Sequence, residues 1–202
     1  PLGIGNNTYI SRIAENTDYT QFFMVIHGYH IEHSLDFEEL ELFFRPVKPS
    51  DERKLQEFLY HLSEKSVYQR FFQNMKAFPH ELAQNMVAVD YHEKLGIVGI
   101  LGNPGNIRII ANAQWILNVN DNTAEVAFAV ADKYQRRGIG THLLRFLMRF
   151  AREHGIKGFE ASVIGGNVAM MNVFKKSGCV LNTKYDSGMY TLSFRFDDKI
   201  KE

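Results

Sequence analysis

Gln135-Arg136-Arg137-Gly138-Ile139-Gly140-Thr141 constrains this chain more than any other stretch. A strand-like run, Ala124 to Ala131, leads into it, and a strongly helical run, Thr141 to His154, leads out. Two closely spaced glycines let the backbone approach a ligand with no Cβ in the way. The first N–H groups of the following helix have no intrahelical partner and carry about half a positive charge between them. Strand, Gly-X-Gly loop and helix in that order predict a bound phosphate or pyrophosphate.

Three cofactor classes use such loops. A nucleotide-triphosphatase loop requires Gly-Lys-Ser/Thr after four spacer residues, and no such run occurs. A dinucleotide fold requires Gly-X-Gly-X-X-Gly and an acid about twenty residues further on. Glu160 lies near that distance, but the third glycine position is Leu143, and six residues, Asp132 to Arg137, separate the strand from the glycines. The third class fits. Gln-Arg-Arg-Gly-Ile-Gly-Thr resembles the coenzyme A pyrophosphate loop of the GNAT superfamily of acetyltransferases. Downstream, Asn167-Val168-Ala169-Met170-Met171-Asn172-Val173-Phe174-Lys175-Lys176-Ser177-Gly178 resembles that superfamily's second signature: an asparagine, a short helix, an aromatic and a glycine. Two motifs in this order, separated by a helix and a strand, are far more specific than either alone.

Composition bounds the function. At 202 residues the chain holds one well-filled core with some to spare. Its 23 basic and 23 acidic side chains give zero formal charge, which argues against a nucleic-acid surface. No apolar run reaches the length of a membrane span, and no secretory signal opens the chain. The single Cys179 excludes an internal disulfide and suits a reducing cytoplasm. The chain opens on Pro1, so it reads as a piece of a longer protein, or Pro1-Leu2-Gly3 as the remnant of a cleaved tag.

Residues 1 to about 28 show no strong period. Ile31 to Phe37 and Leu40 to Val47 read as strands joined by an acidic turn, with Pro46 and Pro49 ending the second. Ser50 is placed to cap a helix whose first turn carries Asp51 and Glu52. Leu55, Phe58, Leu59 and Leu62 then recur at helical spacing, Ser63 and Glu64 restart a second helix, and Pro79 opens a third at its first position. Val87 to Asp90, Leu95 to Leu101, Ile107 to Val119, Ala124 to Ala131 and Phe159 to Val163 read as strands. Gly102 to Asn106 makes a turn between two of them. Val168 to Lys176 is helical, and Val180 to Tyr185 with Met189 to Phe196 closes as a hairpin. The expected fold is α/β (α+β). The resemblance makes it a mostly antiparallel, mixed central sheet flanked by helices, with one splayed pair of strands. Residues 36–202 form this domain and residues 1–35 an extension or linker.

The resemblance also implies the chemistry. Acyl-CoA lies in the splay with its pantetheine amides on backbone groups of Phe128, Ala129 and Val130, and its pyrophosphate on Gln135 to Thr141. Ala127, Ala129 and Ala131 leave one strand face nearly bare, as a ligand there requires. Arg136 and Arg137 oppose the helix dipole, so an anion is expected to compensate them. Asn167 is either a plain cap of the second helix or a cap that also touches pantetheine, and Phe174 lies against the cofactor.

Transfer to an amine needs that amine neutral. A lysine of pKa about 10.4 costs about 4.6 kcal/mol to deprotonate at pH 7, so a base is required. Glu125 is the candidate: it shares a strand face with Ala127 and Ala129, where small apolar neighbours are expected to desolvate it. A solvated strand-end acid is the alternative reading. The block Ala124-Glu125-Val126-Ala127-Phe128-Ala129-Val130, with Phe44 to Glu52 and Leu62 to Phe72, is similar to the Pat-type bacterial protein lysine acetyltransferases, in which the glutamate at this position is the proposed base. Phe174 stands where many members have a proton-donating tyrosine, so the thiolate leaves unassisted or another group serves, with Tyr134, Tyr185 and Tyr190 open as candidates.

The expected activity is acetyl-CoA-dependent acetylation of a protein lysine by direct attack, in the cytoplasm. An upstream acyl-CoA-handling domain is a possible fused partner by resemblance, and the acidic residues Asp36, Glu38, Glu39 and Glu41 are either a solvated turn or an attraction for a lysine-bearing partner. A small-molecule amine acetyltransferase and a non-catalytic acetyl-CoA sensor are the rivals. No metal is expected: His27, His30 and His33 match no zinc spacing and do not share one strand face. Cys179 reads as a small buried hydrophobe.

Overall fold

In chain order the elements are β1 (Leu42–Pro46), α1 (Glu52–Tyr60), α2 (Glu64–Phe71), α3 (His80–Val87), β2 (Lys94–Leu101), β3 (Arg108–Asn118) and β4 (Thr123–Val130), then α4 (Ile139–Glu153), β5 (Gly158–Ile164), α5 (Val168–Lys175), β6 (Asn182–Asp186) and β7 (Met189–Arg195). The computed structural model describes residues 42–102 and 106–198. The expected strand Ile31 to Phe37, the acidic stretch after it, the three histidines near residue 30 and the centre of the Gly102 to Asn106 turn lie outside these residues.

The strands form one sheet in the order β1-β2-β3-β4-β5-β7-β6. Every neighbouring pair is antiparallel except β4 and β5. Those two share three rungs only: Thr123 with Gly158, Ala124 with Phe159 and Glu125 with Glu160. Beyond them β4 follows β3 as far as the Val130–Ala111 pair, while β5 follows β7 to the Ile164–Met189 pair. The two strands therefore part after Glu125 and Glu160. From Val126 and Ala161 onward their facing edges have no strand partner among the described residues. This is the mixed, mostly antiparallel sheet with a splayed pair that the motifs implied.

Each face of the sheet buries its own core. The amphipathic α4 places Leu143, Leu144, Leu147, Phe150 and Ala151 against Val126, Phe128, Phe159 and Ala161, with Arg145, Arg149 and Arg152 outward. On the other face Leu55, Phe58, Leu59, Val67 and Met86 from α1 to α3 cover Val98, Ile100 and Ile109. Alternation along β4 sends Glu125, Ala127 and Ala129 to this second face, where α2 crosses.

Three local expectations need correction. Val87 to Asp90 is not a strand. Val87 ends α3, and the Asp90 carboxylate accepts from the N–H groups of His92, Glu93 and Lys94 at 2.8–2.9 Å, bending the chain into a turn. Ser50 does not cap a helix either. It lies inside a 3-10 turn, Pro49–Asp51, and Asp51 folds back to pair with Arg45 at 2.5 and 2.7 Å. Pro79 stands one residue before α3, at its cap.

The Arg45–Asp51 pair is almost fully buried, at 3% and 1% exposure. Asp51 also accepts from the Lys48 N–H, and Arg45 donates to the Pro46 carbonyl, so its charges are well satisfied. Removing one partner strands the other charge in the interior. Asp51→Ala is expected to cost about 3–5 kcal/mol of stability, read as a lowered denaturation midpoint in urea. A loss below about 1 kcal/mol would show that water reaches the orphaned guanidinium.

Candidate active site

The loop after β4 has the backbone that its glycines predicted. Gly138 caps α4 at φ +87°, and a Cβ built there meets nothing within 4 Å. Arg136 also holds a positive φ, 62°, a left-handed conformation that costs a non-glycine residue about 1–3 kcal/mol. Gly140 is needed for packing instead, since its Cβ would lie 3.3 Å from Val173 and 3.6 Å from Phe128. A groove of about 710 Å³ runs from this loop along the free edge of β4. Phe128, Ala129, Val130, Gln135, Arg136, Ile139, Gly140 and Asn167 all line it. Arg137, Gly138 and Thr141 belong to the same loop and first turn but do not line the groove. Asn167 caps α5, its Oδ1 accepting from the Met170 N–H at 3.1 Å.

A second pocket of about 480 Å³ adjoins the groove and reaches Glu125, Phe72, Ser162 and Phe174. Gln69, Arg70, Phe128, Asn167 and Met170 line both spaces. Glu125 occupies the last rung before the strands part, with Glu160 opposite. Its expected enclosure is not provided by the chain: the side chain is exposed and Ala127 and Ala129 are only half-buried. Small neighbours leave room around a carboxylate, so they bare it to water until something fills the space. Phe174 is buried against Phe128 and Phe194, with ring centroids 5.7 and 6.1 Å away, and lines the second pocket, not the groove. Of the three candidate tyrosines, Tyr134 lines the groove and its hydroxyl accepts from Arg108 at 3.0 Å. Tyr185 and Tyr190 pack against each other as a tilted pair with ring centroids 4.6 Å apart and line neither space. Cys179 is buried, as expected of a small hydrophobe.

Sequence reasoning passed over two features of the site. The first is Arg70, on the α2 face that covers β4. The second is a polar network around Asp132. Its carboxylate accepts from the Ser63 N–H at 2.9 Å, the Ser63 hydroxyl at 2.6 Å and the Ser66 hydroxyl at 2.8 Å. Partial burial pushes the Asp132 carboxyl up, and these hydrogen bonds outweigh it, so the group ends below the ordinary carboxylate range. Gln135 Nε2 donates to both Ser66 and the Val130 carbonyl at 3.0 Å, which joins the loop to the same helix. These partners lie 66–69 residues apart, a separation at which spacing carries no signal.

A family model described as "Acetyltransferase (GNAT) family" matches residues 52–179, which contain the loop, the splayed strands and the capped α5. The chain belongs to the GNAT acetyltransferase family. Acetyltransferase PA5475 of Pseudomonas aeruginosa is 24% identical over 160 residues, 79% of this chain and 86% of that protein. Acetyltransferase Pat of Mycolicibacterium smegmatis is 33% identical over 68% of this chain, which spans 41% of its length. The GNAT domain of S. lividans PAT superposes with a TM-score of 0.69 at 27% identity, over 76% of this chain and 89% of that domain.

A GNAT enzyme is an acyl-CoA-dependent N-acetyltransferase, and this chain offers the features such a cofactor needs. Among the described residues the β4 edge is unpaired beyond Glu125, the glycine loop is open on its outer side, and the first turn of α4 begins at that loop. Among the described residues no group of His, Cys, Asp and Glu is placed to hold a metal ion, and no helix is long and apolar enough to cross a membrane.

Proposed function

We propose that this domain acetylates the ε-amino group of a protein lysine, with acetyl-CoA lying along the groove and Glu125 accepting the proton of the incoming ammonium. One observation carries the reading: Glu125 stands where β4 and β5 part, in a pocket that shares its wall with the groove. Gly138 and the first turn of α4 hold the pyrophosphate, and the free β4 edge from Val126 to Val130 orients the pantetheine. Acetyl-CoA supplies the activated acyl group. Glu125 takes one ammonium proton, directly or through water, which offsets the cost of about 4.6 kcal/mol for a free lysine at pH 7. Once ligands fill the two spaces, they exclude the water that now reaches the carboxylate.

Residues 36–202 are the transferase domain in this reading, with residues 1–35 an extension or linker. The identity with Pat favours a protein acceptor. The test is an acceptor panel with radiolabelled acetyl-CoA. Label stable to hydroxylamine on lysine ε-amines of a protein is the expected result. Label confined to free polyamines or aminoglycosides overturns the acceptor class, and binding without transfer to any amine makes the domain a sensor.

A further inference from the structure

Five side chains line both the groove and the second pocket, so an acyl group passing from one to the other lies among them: Gln69, Arg70, Phe128, Asn167 and Met170. Arg70 is the one cation of the five. Its Nε is buried and has no hydrogen-bond acceptor. The guanidinium is steadied over the Phe71 ring, 5.0 Å from the centroid. The side chain as a whole is half-buried, but this one N–H is withdrawn from water without an acceptor, and a buried donor left unpaired is costly. Glu125 does not satisfy it, since among the described residues Arg70 forms no ion pair within 4.0 Å.

We infer that Arg70 is a further catalytic residue, whose guanidinium donates a hydrogen bond to the thioester carbonyl oxygen and stabilises the charge that builds there. The inference rests on the proposed path of acetyl-CoA through the splay. The neutral amine forms a C–N bond to the carbonyl carbon, and the carbonyl π pair moves onto oxygen, where Arg70 donates without losing its proton. The pair then returns as the C–S bond breaks and the thiolate departs with the bonding electrons. Of the two ammonium protons shed, one is free to neutralise the thiolate and the other passes to solvent. Glu125 lines the same second pocket as Arg70, and its negative charge favours a cation there. Burial pushes the Arg70 guanidinium down to about 10 while the Glu125 charge works to raise it, so it remains protonated at neutral pH.

The experiment is isotope-edited infrared spectroscopy of bound acetyl-CoA carrying a ¹³C carbonyl, paired with steady-state kinetics. In the unaltered protein the thioester band is expected to fall below its position in water. In Arg70→Met it returns upward and kcat drops on the order of 100- to 1000-fold, as for loss of one oxyanion donor, while acetyl-CoA binding holds. Arg70→Lys supplies charge without the planar fork and should give an intermediate band and rate. If Arg70→Met fails to fold, Arg70→Lys decides alone. A band and a kcat unchanged from the original protein in a folded variant overturn the assignment. The Glu125 reading is judged separately, because Glu125→Gln should suppress turnover and leave the carbonyl band where it was.

Discussion

Glu125→Gln is expected to lower kcat for lysine acetylation by about 10²- to 10⁴-fold, the usual worth of a positioned general base. Binding of acetyl-CoA should be unaffected, because the proposed cofactor site is the groove and the Gly138 loop, and residue 125 belongs to neither. Stability should hardly change either. The side chain is exposed, and exposed polar substitutions fall within about 0.5 kcal/mol. Activity without affinity or stability effects is thus the signature to look for. Full activity of the variant from about pH 6 to 9 would remove Glu125 from the chemistry, and attention would pass to Glu160 on the same rung.

The second large effect is expected at the loop. Gly138→Asp should weaken acetyl-CoA binding by on the order of 100-fold or more, a change of about 2.7 kcal/mol, because a carboxylate would face the pyrophosphate at a position that α4 makes electropositive. Gly138→Ala separates charge from backbone strain. No atom lies within 4 Å of the added methyl, but φ is +87°, so this variant carries about 1–2 kcal/mol of conformational strain and no repulsion. Calorimetric titration of both variants with acetyl-CoA is the measurement. Equal affinity of Gly138→Asp and the unaltered protein would place the pyrophosphate elsewhere.

The comparison of sequence and structure follows the range of the interactions involved. The strand, loop and α4 were legible because each is decided within a few residues: alternation in β4, two closely spaced glycines in the loop, an apolar stripe in α4. The Asn167 cap was legible for the same reason, since its acceptor bonds an N–H three residues on. Arg45 and Asp51 lie only six residues apart, yet spacing suggested a helix-start carboxylate. The pair became visible only when β1 and the 3-10 turn were seen to converge. Glu125 was correctly placed on the alanine face, but its exposure depends on where β5 departs, which β4 alone does not encode. Arg70 gave no signal because its significance comes from an acceptor it lacks.

The Asp132 network has a mechanical meaning. One carboxylate staples the start of α2 to the chain entering the phosphate loop, and Gln135 adds a second fastening to the same helix. The wall that carries Arg70 and the cradle for the diphosphate therefore travel as a single part. If the loop seats the diphosphate as proposed, the same fastening holds the wall that faces the amine, and donor-first entry is the expected order of binding.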